Sequence, residues 1–160
     1  MTTDAQPAPL PSPQAPTARA ERILAPDIAR GLVLLEFLLE TETHDGHLSV
    51  TPVGGRGRHD AVPAFDQQPI EALATVDACL AGWRATGATR YAHAARQTFE
   101  WFGGRNVHGV ALARPSDGIC FDGLTVDGLN RNHGAESILS YHLAAASVRR
   151  GLLGLSAPAG

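Results

Sequence analysis

Glycine-rich segments divide this chain into helix-length stretches, and that division is its strongest constraint on the fold. Glycine and proline cluster in residues 41–63, and glycine clusters again in residues 104–131. Both residue types disfavour helix interior, glycine through backbone entropy and proline through its missing N–H. The stretches between them carry apolar residues at helical spacing. We therefore expect a mainly α fold whose helices are separated by long Gly-rich loops. Residues 48–53 and the apolar runs within residues 104–131 permit short strands in these loops.

Four helices are predicted, over residues 24–40, 67–86, 89–102 and 132–150. The second and third are separated only by a short turn at Gly87, so they should form an antiparallel helical hairpin. Apolar residues three and four positions apart define the face that each of these two helices buries. The expected buried residues are Leu73, Val76, Leu80 and Trp83 on the second helix, and Tyr91, Ala95, Thr98 and Phe102 on the third.

The two ends of the chain differ from its centre. Residues 1–21 are rich in proline and alanine, which predicts a disordered leader, and residues 152–160 should form a flexible tail. One folded domain is then expected over residues 22–151. Neither a secretory signal nor a membrane-spanning segment is recognisable, which favours the cytoplasm. Cys79 and Cys120 lack a CxxC spacing and are expected to be reduced, packed thiols.

The charge pattern argues against nucleic acid and acidic membranes as partners. The net charge is −3, and the 13 basic residues are dispersed rather than gathered into a strip. Dispersed basic residues are typical of a solvated surface, so neither nucleic acid nor an acidic membrane is expected as a partner.

Polar residues gather where the second helix should begin. Asp66, Gln68 and Glu71 could together hydrogen-bond several hydroxyl groups of a sugar. An equally weighted interpretation is purely structural, with Asp66 capping the helix and Glu71 complementing its dipole.

A second polar segment covers residues 120–137 and ends in the start of the fourth helix. Its turn-forming residues predict a polar concave wall, and Glu136 could act as general acid or base if burial raised its pKa. The structural alternative is a capping box at the helix start. The candidate site residues in this segment are Asp122, Asn130, Asn132, His133 and Glu136.

Three histidines suggest a metal site, because His44, His47 and His59 lie near one another in the sequence. No cysteine joins them, and no HExxH motif occurs. A metal-binding regulator is therefore a weak alternative, and no metal and no cofactor are expected. The glycine- and arginine-rich residues 54–58 lack a following Lys-Ser/Thr, so they predict a mobile basic loop rather than a phosphate cradle.

Four separated motifs resemble a known family. Residues 65–72 (FDQQPIEA), 101–106 (WFGGRN), 120–124 (CFDGL) and 130–137 (NRNHGAES) are similar to the patterns DQQPxEA, WFxGxND, CxDGL and NxNQGAES. These patterns occur in that order in the C-terminal α/α-toroid domain of bacterial glycosyltransferase-family proteins. The resemblance covers about residues 28–150.

The resemblance implies a six-hairpin glycosidase-like ring of helices that follows a glycosyltransferase domain in a longer chain. Four helices would make only part of such a toroid, so the chain by itself is expected to be inactive. This sequence departs from the family at three positions. His133 replaces the Gln of NxNQGAES, Val107 replaces the Asp of WFxGxND, and Ala88 stands where the family has an acidic residue after Gly87. By the resemblance, the residues that would line the central cleft are Asp66, Gln68, Glu71, Asp122, Asn130, Asn132 and Glu136.

Together these features predict a carbohydrate-active or glycan-binding toroid fragment. A catalytic version would draw an acid/base pair from Asp66, Glu71, Asp122 and Glu136 and act on a glycosidic bond. The alternative is a non-catalytic helical module that stabilises or partners a glycosyltransferase domain. Exposed apolar helix faces in an incomplete ring would also favour self-association.

Overall fold

The computed structural model describes residues 18–57, 59–60 and 63–152, with side chains from residue 26 onward. Its helices are α1 (Ala18–Glu42), α2 (Pro69–Thr86), α3 (Thr89–Glu100) and α4 (Ala135–Leu152), and a 3-10 turn spans Trp101–Gly103. Its strands are β1 (Thr43–His44), β2 (His47–Leu48), β3 (Ala113–Arg114), β4 (Ile119–Cys120), β5 (Gly123–Thr125) and β6 (Gly128–Asn130).

The expectation of a mainly α fold built as a partial toroid of helical hairpins is wrong. Across the described residues, the four helices share the fold with three two-stranded antiparallel sheets, formed by β1 with β2, β3 with β4, and β5 with β6. The architecture is therefore a small mixed α/β fold. The physical reason lies in the Gly-rich segments, where positive φ angles at Gly46, Gly118 and Gly128 support tight turns between short strands. Short strands were allowed in these segments, but they were not expected as part of the fold class.

The first helix is longer than the sequence pattern indicates. It begins at Ala18, six residues before the predicted start, so its first turn lies within residues 1–21 that were expected to be a disordered leader. Pro26 consequently lies inside the helix rather than in its first turn. The rest of that predicted leader, residues 1–17, and residues 153–160 of the predicted tail lie outside the described residues.

The predicted hairpin of the second and third helices is confirmed. Gly87 ends α2 in the left-handed conformation, with φ of 69°, and its N–H donates to the Trp83 carbonyl at 2.8 Å. Of the four residues expected to face the core from α2, all but Trp83 are fully buried, and all four residues expected from the third helix are buried. The expected cap is wrong, because the N-cap of α2 is Gln68 and not Asp66.

Helix α2 lies at the centre of the helical layer and contacts α1, α3 and α4. Two glycines allow the close approaches. A Cβ at Gly82 would lie 3.1 Å from a Leu35 methyl group of α1, and a Cβ at Gly151 would lie 2.8 Å from a Leu80 methyl group of α2. Small residues at these crossings let the neighbouring leucines fill the space between the helices.

The buried apolar residues form two clusters. One joins α1, α2 and α3 around Leu35, Leu80 and Tyr91. The other joins the start of α2, the 3-10 turn and the small sheets around Trp101 and Leu124. This second cluster supports the start of α2, one of the two predicted parts of the candidate site, and it packs against the middle of α4 through Tyr141 and Ala144.

Candidate functional site

The four motif segments that carry the family resemblance meet in the folded chain. Gln67 of the first exchanges two backbone hydrogen bonds with Leu124 of the third, each 2.9 Å long. The indole Nε1 of Trp101, in the second, donates to the Gln67 side-chain carbonyl at 3.4 Å. Ser137 of the fourth segment donates its hydroxyl to the Asp122 carboxylate at 2.7 Å. Segments far apart in the sequence therefore form one connected unit.

Gln67 is the centre of this unit, although it was not among the predicted site residues. Its side chain is fully buried. The amide Nε2 donates to the Ser49 hydroxyl and to the Ala64 carbonyl, both at 3.0 Å. With the bond from Trp101, this amide uses both donor hydrogens and its acceptor, so a buried polar group is fully satisfied. A glutamine directly before a helix-starting Gln-Pro gives no sequence signal for such burial.

The approach of β5 to the start of α2 depends on Gly123. Its φ is +146°, and a Cβ built there would lie 2.1 Å from the Gln67 carbonyl oxygen. No side chain fits at that distance, so the two backbone bonds between Gln67 and Leu124 require glycine at this position.

Asp122 accepts hydrogen bonds at the start of α4. Its Oδ1 accepts from the Gly134 N–H at 2.6 Å and from the Ser137 hydroxyl at 2.7 Å. The backbone N–H of Asp122 donates to the Asn132 carbonyl at 2.8 Å. A carboxylate that binds free N–H groups at a helix start satisfies donors that the helix itself leaves unpaired. Its catalytic assignment stays a prediction.

The negative charges of Glu42 and Glu136 both act on the carboxylate of Glu71. Burial raises the pKa of Glu71, and the negative charges of Glu42 and Glu136 raise it further, while the backbone N–H groups of Glu71 and Gln68 partly offset the rise. Glu71 is half-buried in the first turn of α2, and Glu136 is exposed in the first turn of α4. We call Glu42, Glu71 and Glu136 the carboxylate site.

Glu42 was not predicted as a site residue. It ends α1, and only 2% of its surface is exposed. Its Oε1 accepts from the Thr51 N–H at 2.8 Å and from the Thr51 hydroxyl at 2.7 Å. The Oε2 atoms of Glu42 and Glu71 are both buried without a hydrogen-bond partner among the described residues. Two buried carboxylate oxygens thus have acceptor capacity that no described residue uses.

The other predicted residues surround these helix starts at varying exposure. Asp66 is exposed, and its backbone carbonyl accepts from the Val53 N–H at 2.9 Å. Asn130 is half-buried, and its side-chain carbonyl accepts from the Asn132 N–H at 3.2 Å. The exposed ring of His133 lies edge-on to Phe121, with 6.4 Å between centroids. The half-buried residues are Gln68 and Asn130, and the exposed residues are Asp66, Asn132, His133 and Glu136.

The histidines of the first Gly-rich segment do not assemble into a ligand set. The rings of His44 and His47 are nearly perpendicular, with centroids 6.3 Å apart, and His59 is exposed. Within residues 18–57, 59–60 and 63–152, no three His, Cys, Asp or Glu side chains lie close enough to hold a metal ion. That statement covers Glu42, Glu71 and Glu136.

The two cysteines are packed thiols, as predicted. Both are unpaired and buried, Cys79 on α2 and Cys120 on β4. Burial, with smaller effects from the charges of Glu36 and Asp122, raises the pKa of each thiol to about 12. Neither supplies a reactive thiolate at neutral pH.

Comparison with protein-family models, curated proteins and solved structures found no match to this chain. In the part of the chain that the structure describes, no helix is both long enough and apolar enough to cross a membrane.

Proposed function

We propose that this chain is a glycan-binding module and that the carboxylate site is where it holds the sugar. The observation that carries the proposal is the pair of buried Oε2 atoms of Glu42 and Glu71, neither of which has a hydrogen-bond partner among the described residues. A buried acceptor without a donor costs about 1 to 3 kcal/mol, and more for a charged group. Sugar hydroxyl groups are donors that would remove this cost.

The chemistry of the three carboxylates supports a neutral hydroxyl-bearing ligand. Burial raises the pKa of Glu71, and the charges of Glu42 and Glu136 act in the same direction. Such a carboxyl group spends more of its time protonated, and in that form it both donates and accepts hydrogen bonds. Sugar hydroxyl groups also do both. The resemblance of the four motifs to glycosyltransferase-associated domains points to the same ligand class.

Binding without turnover is the form of the proposal that the geometry favours. Of the four carboxylates expected to supply an acid/base pair, Asp122 binds the start of α4, and Asp66 and Glu136 are exposed. Glu71 is then the single half-buried acid at the site. A module of this kind fits the alternative of a non-catalytic partner to a glycosyltransferase domain, and a glycan would be the ligand that the two share.

An NMR titration tests the proposal directly. The ¹⁵N-labelled chain is titrated with glucose, galactose, mannose, N-acetylglucosamine, maltose and cellobiose. We expect at least one sugar to shift the amide signals of residues 68–73 and 134–138. Glu71→Gln should weaken that binding by up to about tenfold, since one hydrogen bond between neutral groups is worth about 0.5 to 1.5 kcal/mol.

The matched control is Asp77→Asn, which makes the same chemical change at an exposed position of the same helix. This variant should bind like the wild type. Absence of shifts with every sugar, or equal loss of binding in both variants, would contradict the proposal. Hydrolysis of 4-nitrophenyl glycosides that depends on Glu71 would show that the module is catalytic.

A further inference from the structure

The first helix presents two different apolar faces. Its inner face carries Leu32, Leu35 and Leu39, which pack against α2 and α3. Its outer face carries Val33, Leu34 and Phe37, whose exposed fractions are 69%, 67% and 53%. Three large apolar side chains next to one another in water form a patch of the kind that marks an interaction surface.

Charged residues close this patch at both ends. Arg30, Val33, Phe37 and Glu40 are spaced three, four and three residues apart, so they lie along one stripe of α1. Arg30 is exposed and pairs with Asp27 at 3.0 Å, while Glu40 is exposed at the opposite end. We call these four residues, with Leu34, the outer stripe. Along the helix, the outer stripe has one positive residue, then three apolar residues, then one negative residue.

Such an order is complementary to itself when reversed. If a second α1 lies antiparallel on the first, Arg30 of each copy faces Glu40 of the other, and Val33 of each faces Phe37 of the other. The spacing of three and four residues matches helix packing at a small crossing angle. A parallel arrangement would instead place Arg30 beside Arg30 and Glu40 beside Glu40, which costs energy.

We propose that the outer stripe is a homodimer interface in which two α1 helices pack antiparallel about a two-fold axis. The interface is isologous, so each charge pair occurs twice. One helix face per copy is a small contact, and the dimer should therefore dissociate in the micromolar range. This proposal is independent of glycan binding, because the outer stripe contains no residue of the carboxylate site.

Sedimentation velocity over about 1 to 200 µM chain tests the interface, since a weak dimer shows a concentration-dependent mass. Val33→Glu should leave a monomer throughout this range. Arg30→Glu and Glu40→Arg should each weaken dimerisation by about tenfold, because two symmetry-related contacts become repulsive. The double variant Arg30→Glu/Glu40→Arg should recover the wild-type constant. Antiparallel self-pairing predicts both the loss in each single variant and the recovery in the double variant, whereas a parallel pair predicts no such loss.

The matched control is Arg96→Glu, a charge reversal at an exposed position of α3. It should dimerise like the wild type, and circular dichroism should show that every variant remains folded. A wild-type chain that stays monomeric at about 200 µM would overturn the proposal. So would a dimer that survives Val33→Glu, or a double variant that stays as weak as the single ones.

Discussion

Replacing Gly123 with alanine should be among the most damaging single-methyl changes in this chain. The added Cβ would lie 2.1 Å from the Gln67 carbonyl oxygen, whereas an ordinary contact is above 3.4 Å. The start of α2 and strand β5 must therefore separate by more than 1 Å, roughly, on van der Waals grounds. That movement breaks both backbone hydrogen bonds between Gln67 and Leu124.

The magnitude follows from two contributions. A φ of +146° is unfavourable for alanine and costs about 1 to 2 kcal/mol. The two broken bonds leave buried polar groups unpaired, at about 1 kcal/mol or more each. The variant should lose about 3 to 5 kcal/mol of unfolding free energy, which lowers Tm by about 10 to 20 °C for a domain of this size.

Gly128→Ala separates the clash from the backbone strain. Gly128 lies in the same hairpin with a φ of +122°, and a Cβ built there meets nothing within 4 Å. This control should lose only about 1 to 2 kcal/mol. Urea unfolding followed by circular dichroism gives both values. If the two variants differ by less than about 1 kcal/mol, the close approach of β5 to α2 is not what requires glycine.

Three further changes test the residues around the helix starts. Gln67→Leu should cost about 2 to 4 kcal/mol in urea unfolding, because it leaves three partners, two of them buried, without their bonds. Asp122→Ala should lower the free energy of unfolding by about 1 to 2 kcal/mol, because Asp122 caps the start of α4. It should also speed hydrogen exchange at residues 134–138. The folded-state pKa of Glu71 is raised, so its ionisation costs stability as pH rises above the ordinary value of 4.5. Glu71→Gln should therefore gain stability over the wild type as pH rises, with little difference below that value.

Each of these changes has a control and a contradicting result. Gln97→Leu makes the same substitution at an exposed position of α3 and should cost little. Fast exchange spread evenly over α4 in Asp122→Ala would argue against a local cap. A gain for Glu71→Gln that is constant with pH would exclude the titration of Glu71 as its source.

The positions of α2 and α3 could be predicted from the sequence, because they depend on the spacing of nearby residues. The buried faces of α2 and α3 were predicted from residues three and four apart, and Gly87 marked the turn between them. The β-sheets were not predicted as part of the fold class, since strands of two or three residues are too short to show alternation. Their pairing depends on turns at positive φ, which many of the glycines could equally have supplied.

The site was predictable where its residues begin a helix. Glu71 and Glu136 stand out as acids in first turns, and the structure brings them within electrostatic range. Glu42 and Gln67 were missed because their environments are built by distant residues. Glu42 is a charged residue at a helix end, where solvent exposure is the usual outcome, and only the loop that returns Thr51 to it makes it buried.

The buried amide of Gln67 also bears on the order in which the chain folds. Its partners lie 18 residues away at Ser49 and 34 residues away at Trp101, whereas α2 and α3 form from neighbouring residues. Before a contact between distant residues contributes stability, the chain must first lose the entropy of closing the loop between them. The α2–α3 pair should therefore assemble first, and the Gln67 bonds should form after the rate-limiting barrier. Weakening them would then accelerate unfolding and leave the folding rate nearly unchanged.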